Sequence, residues 1–193
     1  MPLNTLSDTD ITQIKAWWEE NKNKVEAKNL RFSIVKNVKQ IEREVTKTGG
    51  AAQAGKNLTS QVVKKMEKNE VTFNCVFKSY AKNDISEITA EYTIYKRVST
   101  RDKDGLKSDV DEIDGTKEIR FIEAMGTADF ETDKVPCEYT SESGGGKPTT
   151  RKSETVEGII VTLSVGGEVF LKQSYPENYI GRLEEKEKRE ESE

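Results

Sequence analysis

From residue 71 onward, apolar and polar positions alternate. Val71, Phe73, Cys75 and Phe77 are interleaved with Thr72, Asn74, Val76 and Lys78, and Ile88, Ala90, Tyr92 and Ile94 with Thr89, Glu91, Thr93 and Tyr95. A period of two puts one set on each face of an extended chain, so each run predicts a half-buried β-strand. Ile119 and Phe121, then Phe130, Val135, Cys137 and Tyr139, mark further strands. The run Ile159, Val161, Leu163, Val165 ends in Gly166-Gly167, and Val169 and Leu171 run back. A two-glycine break between alternating runs is a hairpin signal, because both turn residues need positive φ. The expected core is Val71, Phe73, Phe77, Ile88, Tyr92, Ile94, Ile159, Val161 and Leu163.

The first part of the chain reads differently. Residues 7–29 predict a helix, capped by Ser7 or Thr9, with a narrow apolar stripe of Ile11, Ile14, Trp18 and Val25. Leu30, Phe32 and Ile34 then alternate as a strand. Val38, Ile41 and Val45 also fit a helical period, but frequent β-branching favours strand. Residues 48–60, small and glycine-rich, predict an exposed loop, as do the charged stretch 98–116 and the glycine-rich stretch 141–152. From Arg182 the chain is almost wholly charged, predicting a frayed tail or a short polar helix end. About seven short strands without intervening helical patterns predict a mainly β protein, an antiparallel immunoglobulin-like sandwich with an N-terminal amphipathic helix. The expected division is a helical segment at 1–29, the sandwich at 30–181 and a charged tail at 182–193.

Composition narrows the chemistry. No histidine occurs among the 193 residues. That removes Ser–His and Cys–His catalytic arrangements and any metal site that needs imidazole. The net charge of −4 comes from intermixed signs, and no basic stripe is visible along the sequence, so no nucleic-acid partner is expected. No stretch approaches the ~20 apolar residues of a membrane span. Contact with a membrane is expected only through an export or anchor segment absent from this chain.

Several motifs superficially suggest chemistry. Gly144-Gly145-Gly146-Lys147 resembles a phosphate loop, yet Ser141 and Pro148 stand where that loop needs glycine and a hydroxyl, so a flexible hairpin tip is expected. Ser33 and Lys36 match Ser-x-x-Lys, and Lys47-Thr48-Gly49 matches Lys-Thr-Gly, but the two lie too close together for a serine acyl-enzyme site. Asp102, Asp104, Asp109, Asp111, Glu112 and Asp114 offer oxygen ligands without the spacing of a calcium loop. No catalytic residue, metal ligand or cofactor is therefore expected.

Cys75 and Cys137 fall on the apolar phase of their strands. Buried free thiols and a disulfide both remain open at this point. Trp17 and Trp18 are adjacent on the predicted helix, Trp18 within its stripe and Trp17 near its edge. With Ile14 they are candidates for contact with a partner, since tryptophan is favoured at interfaces.

The stretches EITAEYTIYKR, ADFETDKV and VEGIIVTLSVGGEVFLKQSYPENY, together spanning roughly residues 70–180, resemble exported immunoglobulin-like proteins of Verrucomicrobia-type bacteria. Some of those are similar to pilin-like proteins of type IV pilus systems, in which an N-terminal helix feeds a β-rich head. The resemblance implies a non-enzymatic, extracytoplasmic domain for surface assembly or adhesion, with protein partners, at the periplasm, outer membrane or cell surface. The alternative is a carbohydrate-binding or accessory module of an export or degradation system. That alternative requires exposed aromatics on one β face, for which Tyr95, Tyr139, Tyr175 and Tyr179 are the candidates.

Overall fold

A computed structural model describes residues 12, 13, 15, 27–49, 62–144 and 147–190. Eight strands follow a short 3-10 turn: β1 (Leu30–Thr48), β2 (Val62–Ser79), β3 (Ile85–Asp102), β4 (Gly105–Ile122), β5 (Thr127–Glu131), β6 (Val135–Gly144), β7 (Lys147–Val165) and β8 (Glu168–Tyr175). Helix α1 (Tyr179–Glu190) closes the chain. Of the helix expected over 7–29, the described residues are Thr12, Gln13 and Lys15, which are helical and exposed, and Ala27–Asn29, which form a 3-10 turn instead of its last turn.

Every strand pairs antiparallel, in the order β1-β2-β6-β7-β3-β4, with β5 beside the second half of β2 and β8 beside the second half of β7. The protein is thus mainly β, antiparallel and sandwich-like. β1, β2 and β5 form one layer, and β8, β7, β3 and β4 the other, the order of strands A-B-E against G-F-C in immunoglobulin-like domains. The ring of Phe73 on β2 lies 6.0 Å from that of Tyr175 on β8, and Tyr92 on β3 lies 6.3 Å from Phe130 on β5. These cross-layer contacts fix which faces meet.

The core follows the period-two pattern. All nine expected core residues are buried, and Phe73, Ile94, Ile159, Val161 and Leu163 have no exposed surface. Each such side chain contributes about 1.5–3 kcal/mol by leaving water. Thr132, in the gap between β5 and β6, keeps the neighbouring strand satisfied: its N–H donates to the Phe73 carbonyl at 3.0 Å, and its hydroxyl accepts from the Phe73 N–H at 2.9 Å.

Two expectations are corrected. The charged stretch 98–116 is not a loop: β3 runs to Asp102 and β4 starts at Gly105, with a two-residue turn between them. Likewise 141–152 is mostly strand, because β6 reaches Gly144 and β7 begins at Lys147. In both places the hairpin ladder satisfies the backbone although neither face is apolar. Residues 182–190 of the charged C-terminal stretch belong to α1, which starts three residues before Arg182, and the rest of that stretch lies outside the described residues.

Candidate functional site

The most distinctive feature of the described residues is what the strands do beyond the core. Three long hairpins, β1–β2, β6–β7 and β3–β4, extend past the sandwich side by side. They form one six-stranded platform. One register row crosses it as Val45, Lys65, Ser141, Arg151, Arg101 and Leu106. The next crosses as Glu44, Met66, Thr140, Lys152, Thr100 and Lys107. No residue of β1 beyond Phe32, of β2 before Val71, or of the hairpin from Tyr95 to Glu118 is buried. The platform therefore meets solvent on both faces.

Polar contacts between strands set its register. Lys68 bonds Glu42 at 2.7 Å, Arg43 meets Glu67 at 3.2 Å, and Lys64 meets Glu142 at 3.0 Å, each pair directly opposite across adjacent strands. Exposed pairs of this kind are screened by solvent and contribute little to stability. They position strands more than they stabilise them. A hollow of about 330 Å³ on this sheet is lined by groups including Glu44, Lys64, Met66, Thr140, Glu142 and Thr150.

Where the platform joins the sandwich, charges are drawn inward. Lys36 on β1 donates to the Val156 carbonyl on β7 at 2.6 Å, bridging the layers, and burial lowers its ammonium pKa. Glu154 sits between Lys152 at 2.8 Å and Lys96 at 3.5 Å and accepts from the Glu138 N–H at 3.3 Å. Burial pushes its carboxyl up, but these two lysines outweigh that effect and hold it below the ordinary value. Cys137 lies in the field of Lys96 and Lys36, yet burial raises its pKa against them. A thiol that is buried and protonated at ordinary pH is not an activated nucleophile. Of these contacts the Lys36 bond to the Val156 carbonyl joins β1 to β7, while the Lys96–Glu154–Lys152 pairs lie within the β3–β7 side.

The sequence-derived candidates divide accordingly. Ile14, Trp17 and Trp18 lie outside the described residues. Cys75 and Cys137 are both buried free thiols. A bond between them is ruled out by register: Cys137 stands opposite Asn69, six residues from Cys75 along β2, or about 20 Å at the strand rise. A disulfide needs Cα atoms within about 7 Å. Ser33 and Lys36, three apart on β1, fall on opposite faces. The acidic side chains of 102–114 are spread along a hairpin: Asp102 accepts from the Asp104 N–H at 2.8 Å in the turn, while Asp109 and Asp111 point to one face and Glu112 and Asp114 to the other.

The tyrosines do not gather on one exposed face. Tyr179 is buried with its ring 5.2 Å from that of Tyr95, Tyr175 packs on Phe73, and Tyr139 lies beneath Arg151 at 5.8 Å. The feature the sequence did not show is the row Lys65, Arg151, Arg101. These residues are far apart along the chain, and only strand register brings them together.

No known protein family and no curated protein matches this chain in sequence. Among solved structures it is similar to Northeast Structural Genomics Consortium target SoR45, with a TM-score of 0.24 and 10% identity over 75% of this chain and 92% of that one. A protein of Akkermansia muciniphila, a member of the Verrucomicrobia, gives a TM-score of 0.21 and 12% identity over 75% and 70% of the two chains. A Bordetella pertussis structural-genomics target gives 0.22 and 8% over 75% and 100%. At scores this low, none of the three lends this chain a function. Among the described residues no helix is long and apolar enough to cross a membrane.

Proposed function

We propose that this chain is a non-enzymatic, immunoglobulin-like module of extracytoplasmic surface assembly or adhesion, pilus-associated in its setting, with the three-hairpin platform as its contact surface. The observation that carries this reading is the platform itself. Six strands extend beyond the core with neither face buried, so their apolar burial adds almost nothing to the fold. Presentation of a broad, register-defined surface is what such an extension supplies. Loops and edges of sandwiches serve binding in this way without an active site. The protonated thiol of Cys137 and the paired charges around Glu154 favour a structural role for the polar cluster over a catalytic one.

The experiment is antibody labelling of intact source cells against permeabilised ones, using serum raised to the platform hairpins. Labelling of intact cells, lost after external protease treatment, is the expected result. Labelling only after permeabilisation that also opens the cytoplasm overturns the reading. Stacking of neutral sugars is less well supported, because Tyr95, Tyr139, Tyr175 and Tyr179 do not form one exposed aromatic face.

A further inference from the structure

The two faces of the platform are charged differently. On one face Lys64 meets Glu142, Lys68 meets Glu42, and Lys152 meets Glu154. On the other, the row Val45, Lys65, Ser141, Arg151, Arg101, Leu106 contains three cations and no carboxylate. Arg151 and Arg101 are direct cross-strand partners. Like charges in that position destabilise a sheet, since the Cβ atoms of such partners lie only about 5 Å apart. Neither arginine, nor Lys65, makes an ion pair with a described residue, and all three are exposed.

The flanking positions add hydroxyls to this face. Two residues along each strand lie Ser153 beside Arg151 and Ser99 beside Arg101, with Ser108 opposite Ser99. The Ser99 and Ser108 hydroxyls are 3.1 Å apart, and Arg97 donates to Ser108 at 3.3 Å. The single carboxylate in that row, Glu67, is engaged by Arg43. A flat surface with unpaired guanidinium groups among hydroxyl groups is complementary to a chain carrying anionic groups among hydroxyls. Guanidinium binds planar carboxylate and tetrahedral oxyanions in two-point fashion, and the serines can bond ring hydroxyls.

We propose that this face binds an acidic polysaccharide, with Arg101, Arg151 and Lys65 as the anion contacts. The proposal rests on the adhesion reading above and names its ligand class. Nucleic acid fits less well: single strands need exposed aromatic faces to stack on, and the described aromatics of this face are already covered, Tyr139 by Arg151 and Tyr95 by Tyr179.

The test measures retention and titration of the full chain on polygalacturonate and heparin, with neutral dextran and a single-stranded oligonucleotide alongside. The expected result is salt-sensitive binding to the acidic polysaccharides, none to dextran, and at least tenfold weaker binding for the double variant Arg101→Ala with Arg151→Ala. Lys64→Ala, on the opposite face, should bind as the parent does. Because relieving the arginine pair removes repulsion, the double variant should melt no lower than the parent, which separates lost contact from lost fold. Absence of binding, equal losses in Lys64→Ala, or tighter binding of the oligonucleotide than of polygalacturonate at the same salt overturns the proposal. Failure here with positive labelling of intact cells removes only the polysaccharide ligand. Binding here with labelling confined to the cytoplasm removes the adhesion reading instead.

Discussion

The ring of Tyr92 lies across Gly115, its direct partner on the neighbouring edge strand. A Cβ at position 115 would lie within 2.6 Å of Tyr92 Cζ, Oη and Cε2. Glycine weakens a strand, and an aromatic laid over it from the next strand restores the packing it lacks. The same phenol donates to Asp133 Oδ2 at 3.1 Å and accepts from the Asp133 N–H at 3.1 Å, while Lys117 reaches Asp133 Oδ1 at 2.7 Å. One aromatic side chain thus fills the gap on β4 and ties down the β5–β6 connection. Gly115→Ala should displace Tyr92 and cost about 1–3 kcal/mol, the range for forced overpacking. Chemical denaturation of the variant checks this, and a loss below about 0.5 kcal/mol would refute the packing account.

Gly158 plays the corresponding part for α1. A Cβ there would lie 2.7 Å from the Tyr175 carbonyl oxygen and 2.8 Å from Tyr179 Cγ. Tyr179 is the buried anchor at the start of the helix, and α1 has few other contacts with the sheet. Gly158→Ala should therefore loosen α1 before it unfolds the sandwich. Limited proteolysis reads this directly: cleavage near Arg182 should quicken in the variant while the remaining fragment stays resistant. Simultaneous loss of both would show that α1 is not separately anchored.

Alkali should weaken the fold through two buried acids. Burial pushes the Cys75 thiol from 9.0 up to about 12, and burial followed by the nearby Glu157 and Tyr95 pushes the Tyr179 phenol from 10.0 up to about 12. Both groups keep their protons in the folded state and release them sooner when unfolded. Their contribution is intact below pH 9, falls as pH rises above the unfolded values, and levels off above about 12. For Cys75 alone this amounts to roughly 1.4 kcal/mol per pH unit within that window. Cys75→Ala should lose stability at neutral pH but show a shallower decline between pH 9 and 11. Parallel declines in parent and variant would exclude Cys75 as a source.

The core was legible because water marks only one side of those strands. Val71, Phe73 and Phe77 on β2, and Ile159, Val161 and Leu163 on β7, alternate because the opposite face is polar, and every one of them is buried. The platform was illegible for the converse reason. Residues 62–70, 98–112, 141–144 and 149–153 have both faces open to water, so no apolar period exists to read, and in the last three stretches charge and small residues suggest loop. Register is likewise absent from a single strand's pattern. Arg101 and Arg151 become neighbours only once β3 is paired with β7, and Cys75 and Cys137 become distant only once β2 is paired with β6.

That difference predicts a gradient of local stability along single strands. In β2 the amides around Phe73 and Cys75 sit between β1 and β5 over a closed core, while those around Lys64 and Met66 sit in a sheet open to water on both faces. Hydrogen bonding is continuous along the strand, so any difference in protection must come from burial. Opening the platform exposes little apolar surface, whereas opening the sandwich exposes the side chains of Phe73, Ile94 and Ile159. Native-state hydrogen exchange should show the slowest amides at 71–77, 88–94 and 159–163, exchanging only through global unfolding. Amides at 63–68 and 98–110 should exchange through local opening, orders of magnitude faster, and with little dependence on low denaturant. Substituting Phe73→Leu should then speed the first group and leave the second unchanged. Equal protection along β2 would mean that the platform is buttressed by something beyond its own ladder, such as a bound partner or the N-terminal segment, and would send the search for contacts to its faces.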